Sequence, residues 1–170
     1  TYYYMCLYRS SLDYSLIKMS LKKINALLKH FAQKTLQKSS FDQKLLEATE
    51  LVSVDESGLL KVEYLVPVLP ELCSSSGTLH TGCISTIVDE FTTFSILGQC
   101  SSHKVTVSVD LSVAYSSLAF SGEQLLVKTA NDCITENLAY SSAKLFVGSK
   151  LIASGKHTKF ILGESEEKAF

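Results

Sequence analysis

An α+β fold, one long buried helix against an antiparallel sheet, is what three stretches of the sequence predict together. GTLHTGCISTIVDEFTTFSIL (77–97) is a turn running into a strongly apolar helix. KVTVSVDLSVAY (104–115) alternates apolar and polar residues, the period of a strand. Gly148-Ser149 joins two further strand-like runs as a hairpin turn.

Taken in order, the first forty residues hold seven basic residues and one acid, Asp13. Leu21, Ile24, Leu28 and Phe31 repeat with helical spacing there, with Lys22, Lys23, Lys29 and Lys34 largely off that face. The pattern fits a surface helix docked on the domain, or the acid-poor amphipathic start of a mitochondrial leader. Residues 1–40 are read as an extension and this helix, 41–163 as the domain and 164–170 as a tail. After Phe41 a short helical piece leads into two strands around the turn DESG (55–58). The long helix follows, then the 104–115 strand with Val105, Val107, Val109, Leu111, Val113 and Tyr115 on one face. Lys104, Thr106, Ser108, Asp110 and Ser112 fall on the other. Gln124–Asn131, Leu138–Val147 and Leu151–Ile161 complete the sheet. The two prolines, Pro67 and Pro70, precede the helix, so the later strands are free to pair along their length.

The composition, 46% hydrophobic and 19% charged over 170 residues, is that of one globular domain. A formal net charge of −1 gives no general field for nucleic acid. No apolar run approaches the ~18 residues of a membrane span. The five cysteines form no C-x-x-C pair and the four histidines no i, i+4 pair, so no metal site is expected. Reduced thiols point to the cytoplasm or the mitochondrial matrix.

One residue of the helix raises the functional question. Ile84, Ile87, Val88, Phe91 and Phe94 make a broad apolar face, and Ser85, Asp89 and Thr93 lie one turn apart on the opposite side, flanked by Thr86 and Thr92. Between Glu63 and His103 there is no Lys or Arg, so Asp89 has no basic neighbour in sequence. Two readings stand: an exposed acid on a polar stripe, or a base or nucleophile facing a cleft or subunit interface. The helix start adds unpaired amides between Gly77 and Gly82 that attract a developing negative charge. Glu90 borders the stripe as the solvated acid.

GTLHTGCISTIVDE, VSVDLSVAY and LIASGKHTK, in this order and spacing, resemble the small hot-dog-fold acyl-CoA thioesterases. The likeness is to the eukaryotic thioesterase superfamily type related to the bacterial phenylacetate-pathway enzymes, and it covers about Phe41 to Leu162. Met19 falls where a family member would begin. The resemblance implies a long central helix wrapped by a curved antiparallel sheet, two subunits joining sheets with active sites at their interface, and dimers pairing into tetramers. It implies hydrolysis of fatty acyl-CoA to free acid and coenzyme A without a separate cofactor. Asp89 would be general base or nucleophile, and the amides of Gly82 and Thr81 would polarise the carbonyl. His80 would support the turn, and Ser108 of the partner strand would position water. Coenzyme A would be touched by Ser108, Asp110, Tyr115, Ser117, Ala119, Leu138, His157 and Lys159. The answer it gives for Asp89 is that its partner is water and a thioester rather than an ion pair.

Four positions depart from the family pattern. Ser74 stands where the family has Asn, six residues before the motif His80, and Thr81 stands for the first Gly of a Gly pair. The usual S-P-A-K reads Ser117-Leu118-Ala119-Phe120, and a loop that is often basic reads Thr135-Glu136-Asn137. They support the alternative of a hot-dog acyl-CoA-binding or scaffold protein with weak or no catalysis. A hydratase is disfavoured, because His80 lies nine residues from Asp89.

Overall fold

The computed structural model describes residues 24–29, 42–100 and 104–164. The predicted extension up to residue 23, with Met19, and the tail 165–170 lie outside the described residues. Helix α1 (24–29) docks Ile24, Leu27 and Leu28 in the core and exposes Lys29, as the docked-helix reading expects. α2 (Gln43–Ala48) buries Leu45 and Leu46. The hairpin β1 (Glu50–Asp55) and β2 (Lys61–Pro67) closes on Asp55, whose carboxylate accepts from the Ser57 amide and hydroxyl. β2 alternates cleanly, with Val62, Tyr64 and Val66 inward.

The central helix, α3 (Thr81–Gln99), is followed by β3 (Lys104–Tyr115), β4 (Gln124–Ile134), β5 (Leu138–Val147) and β6 (Lys150–Glu164). One antiparallel sheet runs β1-β2-β4-β5-β6-β3, with α3 packed across β4, β5, β6 and β3. β5 and β6 are joined at Gly148-Ser149, and Gly148 takes φ 57°, which glycine adopts without a Cβ clash. Ile84, Ile87, Val88, Phe91 and Phe94 are buried as expected. Thr92 is buried with them rather than on the polar stripe.

Helix and sheet come closest at Gly155 of β6. A Cβ there would lie 2.5 Å from Val88 Cγ1 and 3.3 Å from the Ser112 carbonyl, so only glycine lets the helix lie this low.

β3 has its predicted bounds but not one uniform face. The ladder with β6 pairs Ser108 with Lys159, then Asp110 with Thr158, and Val109 is bulged out between them. An extra residue reverses the alternation. Thr106 and Ser108 lie on the helix side before the bulge, and Leu111, Val113 and Tyr115 lie there after it. Val105, Val107 and Val109 are exposed as a result.

Candidate active site

The site lies where α3 crosses the β3–β6 ladder, and its first part is the helix start. The Leu79 amide donates to Ala119 O and Thr78 bridges Phe120, which fixes the turn on the β3–β4 loop. Gly77, at φ 73°, makes the bend that L-residues resist. His80 is the N-cap, and its Nδ1 accepts from the Gly82 amide at 3.0 Å. The ring therefore carries its proton on Nε2. The Gly82 amide, expected to polarise a carbonyl, is thus engaged by the protein's own imidazole. That ring must swing aside before the amide can meet an oxyanion. Among the described residues no capping side chain reaches the Thr81 amide. Tyr115, brought round by the bulge, sets its hydroxyl 2.7 Å from Ser85 Oγ and ties β3 to the first turn. Ser74 faces its own loop, with its hydroxyl 2.8 Å from Ser76 Oγ and 3.0 Å from Thr78 Oγ1.

The second part is the carboxylate. Asp89 remains 41% exposed at its side chain, and Oδ1 accepts from Ser108 Oγ at 3.4 Å. Lys159 Nζ lies 3.7 Å and His157 Nε2 3.4 Å from the same oxygen. This corrects the expectation that Asp89 has water and a thioester instead of an ion pair. Its basic neighbours come from β6, far away in sequence. Within its own chain Ser108 also reaches Asp89.

The pieces interlock. Lys159 donates to Ser108 Oγ at 3.2 Å, His157 Nε2 is 3.0 Å from that oxygen, and His157 Nδ1 is 2.7 Å from Thr92 Oγ1. Thr92 also donates to Val88 O at 2.6 Å. Its one hydroxyl proton being spent there, Nδ1 donates to Thr92 and Nε2 is left an acceptor, so the single Ser108 proton is shared between Nε2 at 3.0 Å and Asp89 Oδ1 at 3.4 Å. Burial, reinforced by the Lys159 charge, pushes His157 down to about 4, so the ring is neutral at neutral pH. Burial likewise lowers Lys159, while Asp89 and Glu90 oppose the shift. Glu90 is not the solvated acid expected of it. Burial, with repulsion from Asp42 and Asp89, pushes it up to about 7.

A half-open carboxylate beside a buried ammonium and a hydroxyl, within two turns of a helix start, is an arrangement for activating water against a carbonyl. Human acyl-coenzyme A thioesterase 13 is 32% identical over 131 residues, which cover 75% of this chain and 90% of that protein. The chain belongs to the hot-dog thioesterase family, a family of thioester hydrolases. The zebrafish thioesterase superfamily member 2 structure is similar at TM-score 0.67 and 28% identity, covering 81% of this chain and 97% of that one. The E. coli PaaI structure shares the fold at TM-score 0.63 and 13% identity, over 81% and 98%. No family model matches the chain.

Among the hot-dog contacts expected for coenzyme A, the structure separates two groups. Tyr115 and Asp110 are exposed, and Ser117 and Leu138 are half-exposed. Ala119 is buried with its carbonyl engaged by Leu79, and His157 and Lys159 are buried beneath Asp89. Sequence reasoning gave no role to Thr92, Ser85 or the Val109 bulge. A signal for the buried pair was present: Ala153, Gly155, His157, Lys159 and Ile161 alternate along β6, which puts two basic side chains on an otherwise small and apolar inward row. Among the described residues no cluster of three metal-ligating side chains occurs, and no described helix is long and apolar enough to cross a membrane.

Proposed function

We propose that this hot-dog thioesterase hydrolyses fatty acyl-CoA to a free fatty acid and coenzyme A. The observation that carries the reading is Asp89, half-open to solvent while Ser108 and Lys159 hold its inner oxygen. Asp89 serves as general base. It takes a proton from water as the oxygen bonds to the thioester carbon, the tetrahedral oxyanion collapses, the C–S bond breaks, and the sulfur leaves with a proton as the free thiol. The amides of Thr81 and Gly82 receive the oxyanion once His80 has turned away. Attack by Asp89 itself, through a mixed anhydride, uses the same contacts.

Turnover of an acyl-CoA panel, short to long chain, with released coenzyme A detected by chromatography, tests this. Asp89→Asn is expected to lower kcat/KM on the order of 10²–10⁴-fold. Turnover indifferent to Asp89 contradicts the assignment.

Assembly follows from β3. It is an edge strand of the sheet, and Val105, Val107, Phe160 and Leu162 are exposed on and beside it. Pairing of this edge with a second copy makes a homodimer that covers them, and dimers associate into tetramers. Light scattering after size exclusion checks the mass, and a monomer at micromolar concentration contradicts it. The thiols of Cys73 and Cys83 support a reducing location, cytoplasm or mitochondrial matrix.

A second reading has its own observation. The Gly82 amide is occupied by His80 and the Ser74 hydroxyl by its own loop, which favours a protein that binds acyl-CoA and turns it over poorly. Saturable thermal stabilisation by acyl-CoA without release of coenzyme A is its expected result.

A further inference from the structure

Thr92 is fully buried in α3, and its hydroxyl meets three neighbours. Oγ1 lies 2.6 Å from Val88 O, 3.1 Å from Asp89 O and 2.7 Å from His157 Nδ1. The two carbonyls can only accept, so one of them takes the single hydroxyl proton and the imidazole becomes the donor to Thr92. The ring is buried and, with the Lys159 ammonium beside it, neutral, so it holds one proton. With that proton on Nδ1, Nε2 presents a bare lone pair 3.0 Å from Ser108 Oγ.

The two tautomers of His157 treat Asp89 differently. In the one that Thr92 selects, the Ser108 proton divides between Nε2 and the more distant Asp89 Oδ1. The carboxylate is then oriented and still keeps its affinity for a proton. In the other tautomer, Nε2–H would donate to Ser108 Oγ or to Asp89 Oδ1 itself, and the Ser108 proton would turn wholly to Asp89. Each added hydrogen bond stabilises the ionised carboxylate and weakens it as a base.

We infer that Thr92 is a positioning residue of this site: by accepting from His157 Nδ1 it holds the ring in the tautomer whose Nε2 draws the Ser108 proton away from Asp89, and so keeps Asp89 basic. Thr92 reaches the reacting groups only through His157 and Ser108. The inference rests on the thioesterase reading above, but its first test does not need turnover.

The first test reads the tautomer by proton–nitrogen correlation NMR of the full chain, with nitrogen-labelled histidine at neutral pH. The His157 signals are assigned by their loss in His157→Gln. In the wild type the proton is expected on Nδ1 with Nε2 bare, in Thr92→Val on Nε2, and in Thr92→Ser again on Nδ1. A proton on Nε2 in the wild type, or one that stays on Nδ1 in Thr92→Val, overturns the inference. The second test is steady-state kinetics on one acyl-CoA. Thr92→Val is expected to lower kcat on the order of tenfold with KM within about twofold, and Thr92→Ser to stay within about twofold of the wild type in both. No loss in Thr92→Val, or an equal loss in Thr92→Ser, overturns it. A wild type without turnover defeats the thioesterase reading, and the NMR result then upholds or overturns the hold of Thr92 on the ring.

Discussion

The helix start and the carboxylate cluster are built by opposite means. The start is local: Gly77, His80 and Gly82 lie within six residues, and its donors are backbone amides. The cluster is long-range: Asp89 from α3, Ser108 from β3 and His157 with Lys159 from β6, all side chains, the two from β6 buried. The start is exposed and adjustable, because one imidazole rotation opens or closes the Gly82 amide. The cluster is fixed, because each group in it holds two others. The difference teaches where precision is kept: the Asp89 carboxylate is locked, and the Gly82 amide is gated.

That contrast breaks most plainly at Ser108. Ser108→Ala removes the hydroxyl that joins Asp89, His157 and Lys159, and kcat/KM is expected to fall on the order of 10²-fold. His80→Ala, at the adjustable end, frees the Gly82 amide and is expected to cost about tenfold or less. Steady-state kinetics of the two variants on one acyl-CoA decide it, and equal losses erase the distinction.

Gly155 sharpens the claim that the cluster is rigid. A methyl there meets Val88 at 2.5 Å, so Gly155→Ala is expected to destabilise by about 1–3 kcal/mol in urea unfolding. Val88→Ala in the same chain makes room and is expected to recover part of the loss. No recovery means that the helix height is set elsewhere.

The smallest effect is a pH dependence of stability. His157 is held at about 4 in the folded chain against 6.5 when free, so the unfolded chain binds its proton first as pH falls. This stability is present above 6.5 and is lost as pH falls through about 4. Glu90 runs the other way, since its raised value favours the folded chain at low pH and that benefit fades as pH rises through about 7. Comparison with His157→Gln isolates the first slope: the variant's thermal midpoint is expected to gain on the wild type as pH drops. Parallel curves contradict a neutral buried His157.

Much of the fold was readable because its signals are local. The 81–99 helix shows an apolar stripe and a capping turn, and β5–β6 shows a hairpin glycine. β3 was bounded correctly but given one uniform face, because its alternation looks perfect and the Val109 bulge leaves no mark in composition. The partners of Asp89 were hidden for a different reason. Charge pairing was sought along the chain, whereas antiparallel pairing of β3 with β6 brings Lys159 beside Ser108 and under the helix. His157 and Lys159 stood out only through family resemblance, and as ligand contacts. The alternation of β6 marks their row as inward, and the packing of α3 on that row brings them beside the carboxylate.

The central claim is that Asp89 works through the cation beneath it. The direct test is a double-mutant cycle in kcat/KM with Asp89→Asn and Lys159→Met, on one acyl-CoA at one pH. The account predicts that Lys159→Met costs at least about tenfold in the wild type and almost nothing once Asp89 is Asn. Losses that simply add would contradict it and leave Lys159 a structural cation with no part in the chemistry of Asp89.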